Sequence, residues 1–368
     1  MNSRERLLKC IKNEPIDRVP ISTYEMVPFK AKNDFYNLEP SYQNMMDFFA
    51  KYTDIIYSAA PEMTPLTNIT ERIETPIEGG VMAKIIIHGR GKDLVKVQKK
   101  LDNQYTWWTL KHFCDDMDDL EVYIDTLPDL LEEVSLDQAH QLEKDLGDKG
   151  IMMLSIPDPL CIVADSFEFG NFLVQAITET ERIYKAADAI YEYQTYHFDK
   201  MIKAGIDNMM IRIYGPEYAT PPYLPPSMYP DLVTKYLVPM SRKIKEANGF
   251  TRVHCHGKTA KVLDQFLMSD MIALEPIEPI PDGDISIGEI KKICGDRVCL
   301  MGSLELKELE NADTSRINML VRETMDMAKG KSGLIMMPTA SPINAPLSKK
   351  TEENYHEFVN ASLQYGKY

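Results

Sequence analysis

The 368-residue chain is poor in positive charge, with 41 Lys+Arg against 56 Asp+Glu and a formal net charge of −15. A polyanion needs a basic footprint, so this balance excludes nucleic acid as a partner. It also disfavours a highly anionic small substrate unless a pocket concentrates cations locally. No run approaches the roughly 18 apolar residues of a membrane-crossing helix. The opening MNSRERLLKCIKNEPIDRVP has no apolar core of a secretory signal. Six cysteines, at 10, 114, 161, 255, 294 and 299, are too sparse for a disulfide framework and fit reduced thiols, so the expected location is cytoplasmic. No G-x-G-x-x-G follows any predicted strand, which removes the main support for a dinucleotide-binding sheet. Low-complexity linkers and internal repeats are also lacking.

What is present is alternation. MMIRIY (Met209–Tyr214), FTRVHC (Phe250–Cys255), MIALEP (Met271–Pro276), RVCLMG (Arg297–Gly302) and GLIMMP (Gly333–Pro338) read as short buried strands. Each is followed by an amphipathic segment: Tyr229–Ala247, Thr259–Met268, Ile285–Ile293, Ser315–Ala328 and Thr351–Leu363. Five β-then-α units call for a parallel sheet with helical crossovers. GIMMLSIPDP (Gly150–Pro159) starts the series, and a helix at Arg4–Ile11 precedes a first strand around Val19–Thr23. Residues 80–110, rich in β-branched and aromatic side chains with Trp107 and Trp108 among them, read as an inserted β-meander. The expected architecture is an α/β (β/α)₈ TIM barrel, a single domain over residues 1–368 with an N-terminal extension and that meander.

In such a barrel, catalytic groups stand at the C-terminal ends of strands. Asp158 follows one strand, Glu217 and Tyr218 the next; then come His254-Cys255-His256, Glu275, Glu305, and the run Pro338–Ser341. Tyr24 and Glu25 follow the first strand and are pocket candidates. Side chains i and i+2 of a strand share a face. His254 and His256 therefore both face the barrel mouth, while Cys255 faces the helices. Two imidazoles with Glu275 form a nitrogen/oxygen set suited to a catalytic zinc with one open position, and Glu217 is a second carboxylate that completes the shell or orients it. Without metal, the same histidines serve as general acid and base.

The segments SRERLLKCIKNEPIDRVPI, GPEYATPPYLPP, VHCHGK, DMIALEPIEP, RVCLMGSLE and LIMMPTASP, in this order over nearly the whole chain, resemble the uroporphyrinogen decarboxylase-like superfamily. The resemblance implies a (β/α)₈ barrel, and the superfamily holds both decarboxylases and corrinoid-dependent methyltransferases. Decarboxylases of this kind carry an arginine-bearing motif near the N-terminus that clamps substrate carboxylates; the matching stretch here, PISTYEMVPFKAKND, has no arginine. Methylcobamide:coenzyme M methyltransferases bind zinc through His-x-Cys and a distant Cys. Here His256 stands in the Cys slot, and Ala340 falls near the distant one. The harder donor set is similar in character to methyltransferases that begin O-demethylation. For this chain the resemblance then implies zinc on His254, His256, Glu275 and Glu217, with Tyr218 as proton donor. Asp158, Tyr223 and Glu25 line the pocket, and a corrinoid (cobalamin) protein is the partner of a small methylated substrate. The alternatives are a metal-free decarboxylase-like lyase and a non-catalytic barrel that binds a corrinoid or tetrapyrrole.

Overall fold

The computed structural model describes residues 1–29 and 34–368. Residues 30–33, part of the arginine-free stretch, lie outside the described residues. Helix Ser3–Ile11 opens the chain, and the strands follow as β1 (Ile55–Ala59), β2 (Glu62–Pro65), β3 (Thr70–Ile77), β4 (Gly80–His88), β5 (Asp93–Leu101), β6 (Trp108–Lys111) and β7 (Glu132–Ser135). The series continues with β8 (Gly150–Pro157), β9 (Met210–Tyr214), β10 (Phe250–His254), β11 (Ala273–Ile277), β12 (Cys299–Leu304) and β13 (Leu334–Pro338). Strands β1 and β8–β13 form a curled seven-stranded sheet in the order β1-β8-β9-β10-β11-β12-β13, parallel throughout. Strands β3–β6 make the expected antiparallel meander, which begins at Thr70 rather than near residue 80. Trp107 packs there against the Arg72 guanidinium at 4.8 Å, while Trp108 stays exposed.

The predicted strand around Val19–Thr23 is reduced to one parallel bridge, Ile21 to Met336 of β13. Ser22 N donates to Met336 O at 2.9 Å, and Asp54 N, just before β1, donates to Ile21 O at 2.7 Å. Residues 20–22 thus touch both edges of the sheet. The predicted helix Thr259–Met268 shrinks to Leu263–Phe266, and the segment after β9 enters its helix through a π-helical turn, Pro230–Thr234, before Lys235–Glu246.

Period-two alternation divides the strand side chains between two cores. Tyr57, Met152, Leu154, Ile211, Ile213, Val253, Leu274, Leu300 and Met336 pack outward under the helices. Ile56, Ile151, Met153, Met210, Phe250, Ala273, Cys299, Met301, Ile335 and Met337 pack inward, joined by Leu7, Cys10 and Ile11 of the first helix. That helix therefore closes the N-terminal end of the inner space. Further along the same inward rows the residues become polar: Ser155 on β8, Arg212 and Tyr214 on β9, Arg252 and His254 on β10, Glu275 on β11, Ser303 on β12. An apolar floor and a polar upper layer follow from this one sequence gradient.

The segment leading to residues 20–22 is fixed by a buried ion network. Asp54, whose side chain is fully buried, accepts from Arg6 Nη1 at 2.6 Å, from Arg18 Nη1 at 2.7 Å and from Ile21 N at 3.0 Å. Removing Asp54 leaves Arg18 without a carboxylate and Arg6 with Asp17 alone, and strands their buried donors. Asp54→Ala is expected to destabilise the protein by about 3–5 kcal/mol, read as a lowered urea midpoint; a midpoint within error of the parent contradicts this account of the clamp.

Candidate functional site

The site is built from the C-terminal ends of β8–β12. Cross-strand register aligns Tyr214 with His254 and His254 with Glu275. Glu275 is fully buried, and its Oε1 accepts from both Arg252 Nη2 and His254 Nδ1 at 2.6 Å. Burial alone would raise this carboxyl, but the Arg252 charge and then His254 outweigh it and hold the group well below the usual carboxylate range. An ionised Glu275 can only accept, so the shared proton resides on His254 Nδ1 and the Nε2 lone pair is left available.

The second histidine repeats this arrangement. His256 Nδ1 lies 2.7 Å from Glu278 Oε1, and Gly257 N donates to Glu278 Oε2 at 2.6 Å. Burial pulls His256 down, but its bond to Glu278 and the nearby carboxylate charges more than offset this and raise it. Burial likewise pushes Glu278 up, yet His256 and the Gly257 amide win and lower it. The two imidazole centroids stand 4.8 Å apart at 84°, and Tyr24 stacks on His254 at 6.4 Å. Cys255 packs in the outer core, as alternation requires. Among the described residues neither Nε2 makes a hydrogen bond.

The four-donor shell of His254, His256, Glu275 and Glu217 is not assembled: among the described residues no group of three or more His, Cys, Asp or Glu side chains is placed to hold a metal ion. The physical reason lies in Glu275, whose Oε1 is shared between Arg252 and His254; the carboxylate expected as a ligand instead orients the His254 ring. Glu217 follows Gly215, whose amide donates to Glu217 Oε2 at 3.0 Å. Gly215 has φ +117°, and a Cβ there would lie 2.3 Å from Cys161 Cβ and 2.5 Å from Asp158 Oδ1, so only glycine fits.

Asp158 caps the helix Pro159–Asp165, accepting from Cys161 N at 2.7 Å, while its Oδ2 is buried without a partner. Burial, then the Glu217 charge, raise this carboxyl well above its ordinary value. Tyr218 lies edge-on to Phe169 and Phe172, and Tyr223, 46% exposed, packs on Phe169. Neither tyrosine makes a hydrogen bond or a ring contact with the histidine pair among the described residues. Burial lifts the Tyr218 phenol far above its usual range, so it keeps its proton at neutral pH. The Glu25 amide donates to Ser341 Oγ at 3.3 Å.

Sequence reasoning missed Glu278, Arg252 and Arg212. The signal was available for the two arginines, which stand two residues before His254 and Tyr214 and so share their face. Glu278 lies beyond β11, in a loop where no periodicity applies. A depression of about 610 Å³, lined by Lys12, Lys245, Phe250 and Arg297 among others, lies at the opposite, N-terminal end of the strands.

The uroporphyrinogen decarboxylase (URO-D) family profile matches residues 116–362, and the chain belongs to that family. A methyltransferase from Methanosarcina mazei superposes with a TM-score of 0.61 over 99% of both chains at 15% identity, a likeness of fold. A GH5 xyloglucanase from Bacteroides ovatus, in complex with a XXXG heptasaccharide, covers 85% of this chain and 98% of its own at 10% identity; its TM-score of 0.32 carries no argument. No curated protein sequence matches the chain. Among the described residues no single helix is long and apolar enough to cross a membrane.

Glu305 supplies a pH test of this carboxylate-rich rim. Its Oε2 accepts from Thr339 Oγ1 at 3.1 Å, and burial, then the Glu278 charge, push it from 4.5 up to about 7. The fold favours the protonated form, so this contribution is complete below about pH 4.5 and is lost as pH rises through about 7. Glu305→Gln keeps an acceptor without the charge. It is expected to gain roughly 1–2 °C in Tm at pH 8 relative to the parent and nothing at pH 4. Equal differences at both pH values contradict the assignment.

Proposed function

We propose that the chain is a zinc-dependent methyltransferase that moves a methyl group between a small methylated substrate, a methoxylated aromatic, and the cobalt of a corrinoid carried by a partner protein. One observation carries this reading: two adjacent imidazoles, each with Nδ1 held by its own carboxylate, present two uncommitted Nε2 atoms at the ends of the parallel strands. Metal-bound histidines characteristically have such an outer shell, which fixes tautomer and ring direction. The buried Oδ2 of Asp158 has no hydrogen-bond partner among the described residues and is a further polar atom left for a ligand.

His254 and His256 would hold the zinc through Nε2, with Glu217, whose charge reaches His256, as the orienting carboxylate beside them. Zinc bound there would supply Lewis acidity to an ether oxygen and stabilise the alkoxide or phenolate charge as methyl leaves. Glu275 and Glu278 keep the protons on the Nδ1 atoms. Tyr218 retains a proton for the leaving oxygen. Asp158, Tyr223 and Glu25 complete the pocket. In the same reading residues 20–22 act as an eighth strand between β13 and β1, closing a (β/α)₈ barrel whose mouth receives the corrinoid protein.

Elemental analysis of the purified protein, repeated on folded His256→Ala, tests the site. About one zinc per chain is expected for the parent and none for the variant, and Glu278→Ala is expected to lower zinc affinity about 10–100-fold. Methyl transfer from a methoxylated aromatic to cob(I)alamin, followed by its visible spectrum, should disappear on chelation. Transfer that persists in full without zinc contradicts the proposal.

A further inference from the structure

The inner face of β9 carries a charge that forms no ion pair among the described residues. Arg212 stands directly opposite Arg252 in the β9–β10 register, so two guanidiniums project from opposed positions on one face. Like charges so placed destabilise a sheet unless they are compensated. Arg252 is compensated by Glu275 at 2.6 Å. Arg212 is not: its Nε donates to Ser155 Oγ at 3.0 Å and its guanidinium carbon lies 5.8 Å from the Tyr214 ring centre. Among the described residues it forms no ion pair, and neither Nη makes a hydrogen bond.

This is no surface arginine. It is half-buried, and its charge acts on Tyr24, Tyr105, Tyr214 and Glu275, groups brought from four separate parts of the chain. The guanidinium is only partly buried, and its two Nη groups are left open to an incoming anion. The planar fork left open matches a carboxylate, and Ser155 Oγ, 3.3 Å from Ser58 Oγ, adds hydroxyls beside it. Tyr24 stacks on His254 and the Tyr214 ring lies beside Arg212, so aromatic surface adjoins both the histidines and the guanidinium.

We infer that Arg212 is the carboxylate subsite for a small aromatic monocarboxylate, bound with its ring between Tyr24 and Tyr214 and its far end toward His254 and His256. Arg212 lies two residues before Tyr214, the register partner of His254. Roughly 6.6 Å of strand separates the two levels, enough for a single ring. One unpaired guanidinium selects one carboxylate, which excludes a polyacid. That the far end carries a methoxy group rests on the function proposed above; the anion subsite does not.

Calorimetric titration with 4-methoxybenzoate and its neutral isostere 4-methoxybenzamide tests the subsite. The parent protein is expected to bind the acid at least about tenfold more tightly than the amide. Arg212→Gln should abolish that preference while leaving the amide affinity within about twofold, and Arg212→Lys should keep part of it. If Arg212→Gln fails to fold, by circular dichroism, the Arg212→Lys preference decides: a value unchanged from the parent overturns the inference. Equal affinities in the parent, binding of neither probe, or a full acid preference in folded Arg212→Gln also overturns it. Methyl transfer is not read here. Intact acid preference without any methyl transfer would therefore sink the methyltransferase reading and leave the subsite standing.

Discussion

The site depends on one buried carboxylate. Glu275 has no access to water, so it can remain ionised only with a cation and donors against it, and Arg252 and His254 meet that need through a single oxygen. The consequence reaches beyond stability. Because Glu275 is an acceptor only, it determines which nitrogen of His254 carries the proton and therefore which nitrogen is free for chemistry. Glu278 does the same for His256 from a neighbouring loop. The apolar floor formed by Met153, Met210, Phe250 and Met301 beneath this layer keeps water out and gives these electrostatic contacts their strength.

Much of this was legible before any coordinates. The β-then-α alternation predicted strands at the positions where β9–β13 occur, displaced by one or two residues. The i, i+2 rule assigned Cys255 to the helices and its two neighbours to the inner side. Local patterns failed where tertiary contacts decide. Residues 19–23 have strand composition, yet only Ile21 bridges, because Asp54 and two arginines hold the flanking backbone. The segment 259–268 has helical spacing but forms a single turn. The ligand role expected of Glu275 rested on its position at a strand end; spacing alone does not reveal that a guanidinium two residues before His254 would claim it. Whole-chain acidity was a similarly coarse guide, since it gave no hint that Arg212, without an acidic partner among the described residues, stands on the inner face.

Family membership fixes the architecture and leaves the chemistry to the site, because one fold supports several reactions by changing what its strand ends carry. Here the strand ends carry two oriented imidazoles, a rim of carboxylates and an arginine facing inward. A metal-free acid/base pair would use the same histidines, but it would not require both to have the same nitrogen occupied by a carboxylate. A repeated tautomer is the arrangement that two ligands of one ion share.

The tautomer of His254 is therefore the most direct test. In protein labelled with ¹⁵N-histidine, two-bond proton–nitrogen correlations distinguish Nδ1–H from Nε2–H in the neutral ring. The account predicts that His254 carries its proton on Nδ1, with a strongly hydrogen-bonded resonance that is lost in Glu275→Ala. A proton on Nε2 in the metal-free parent protein would contradict it.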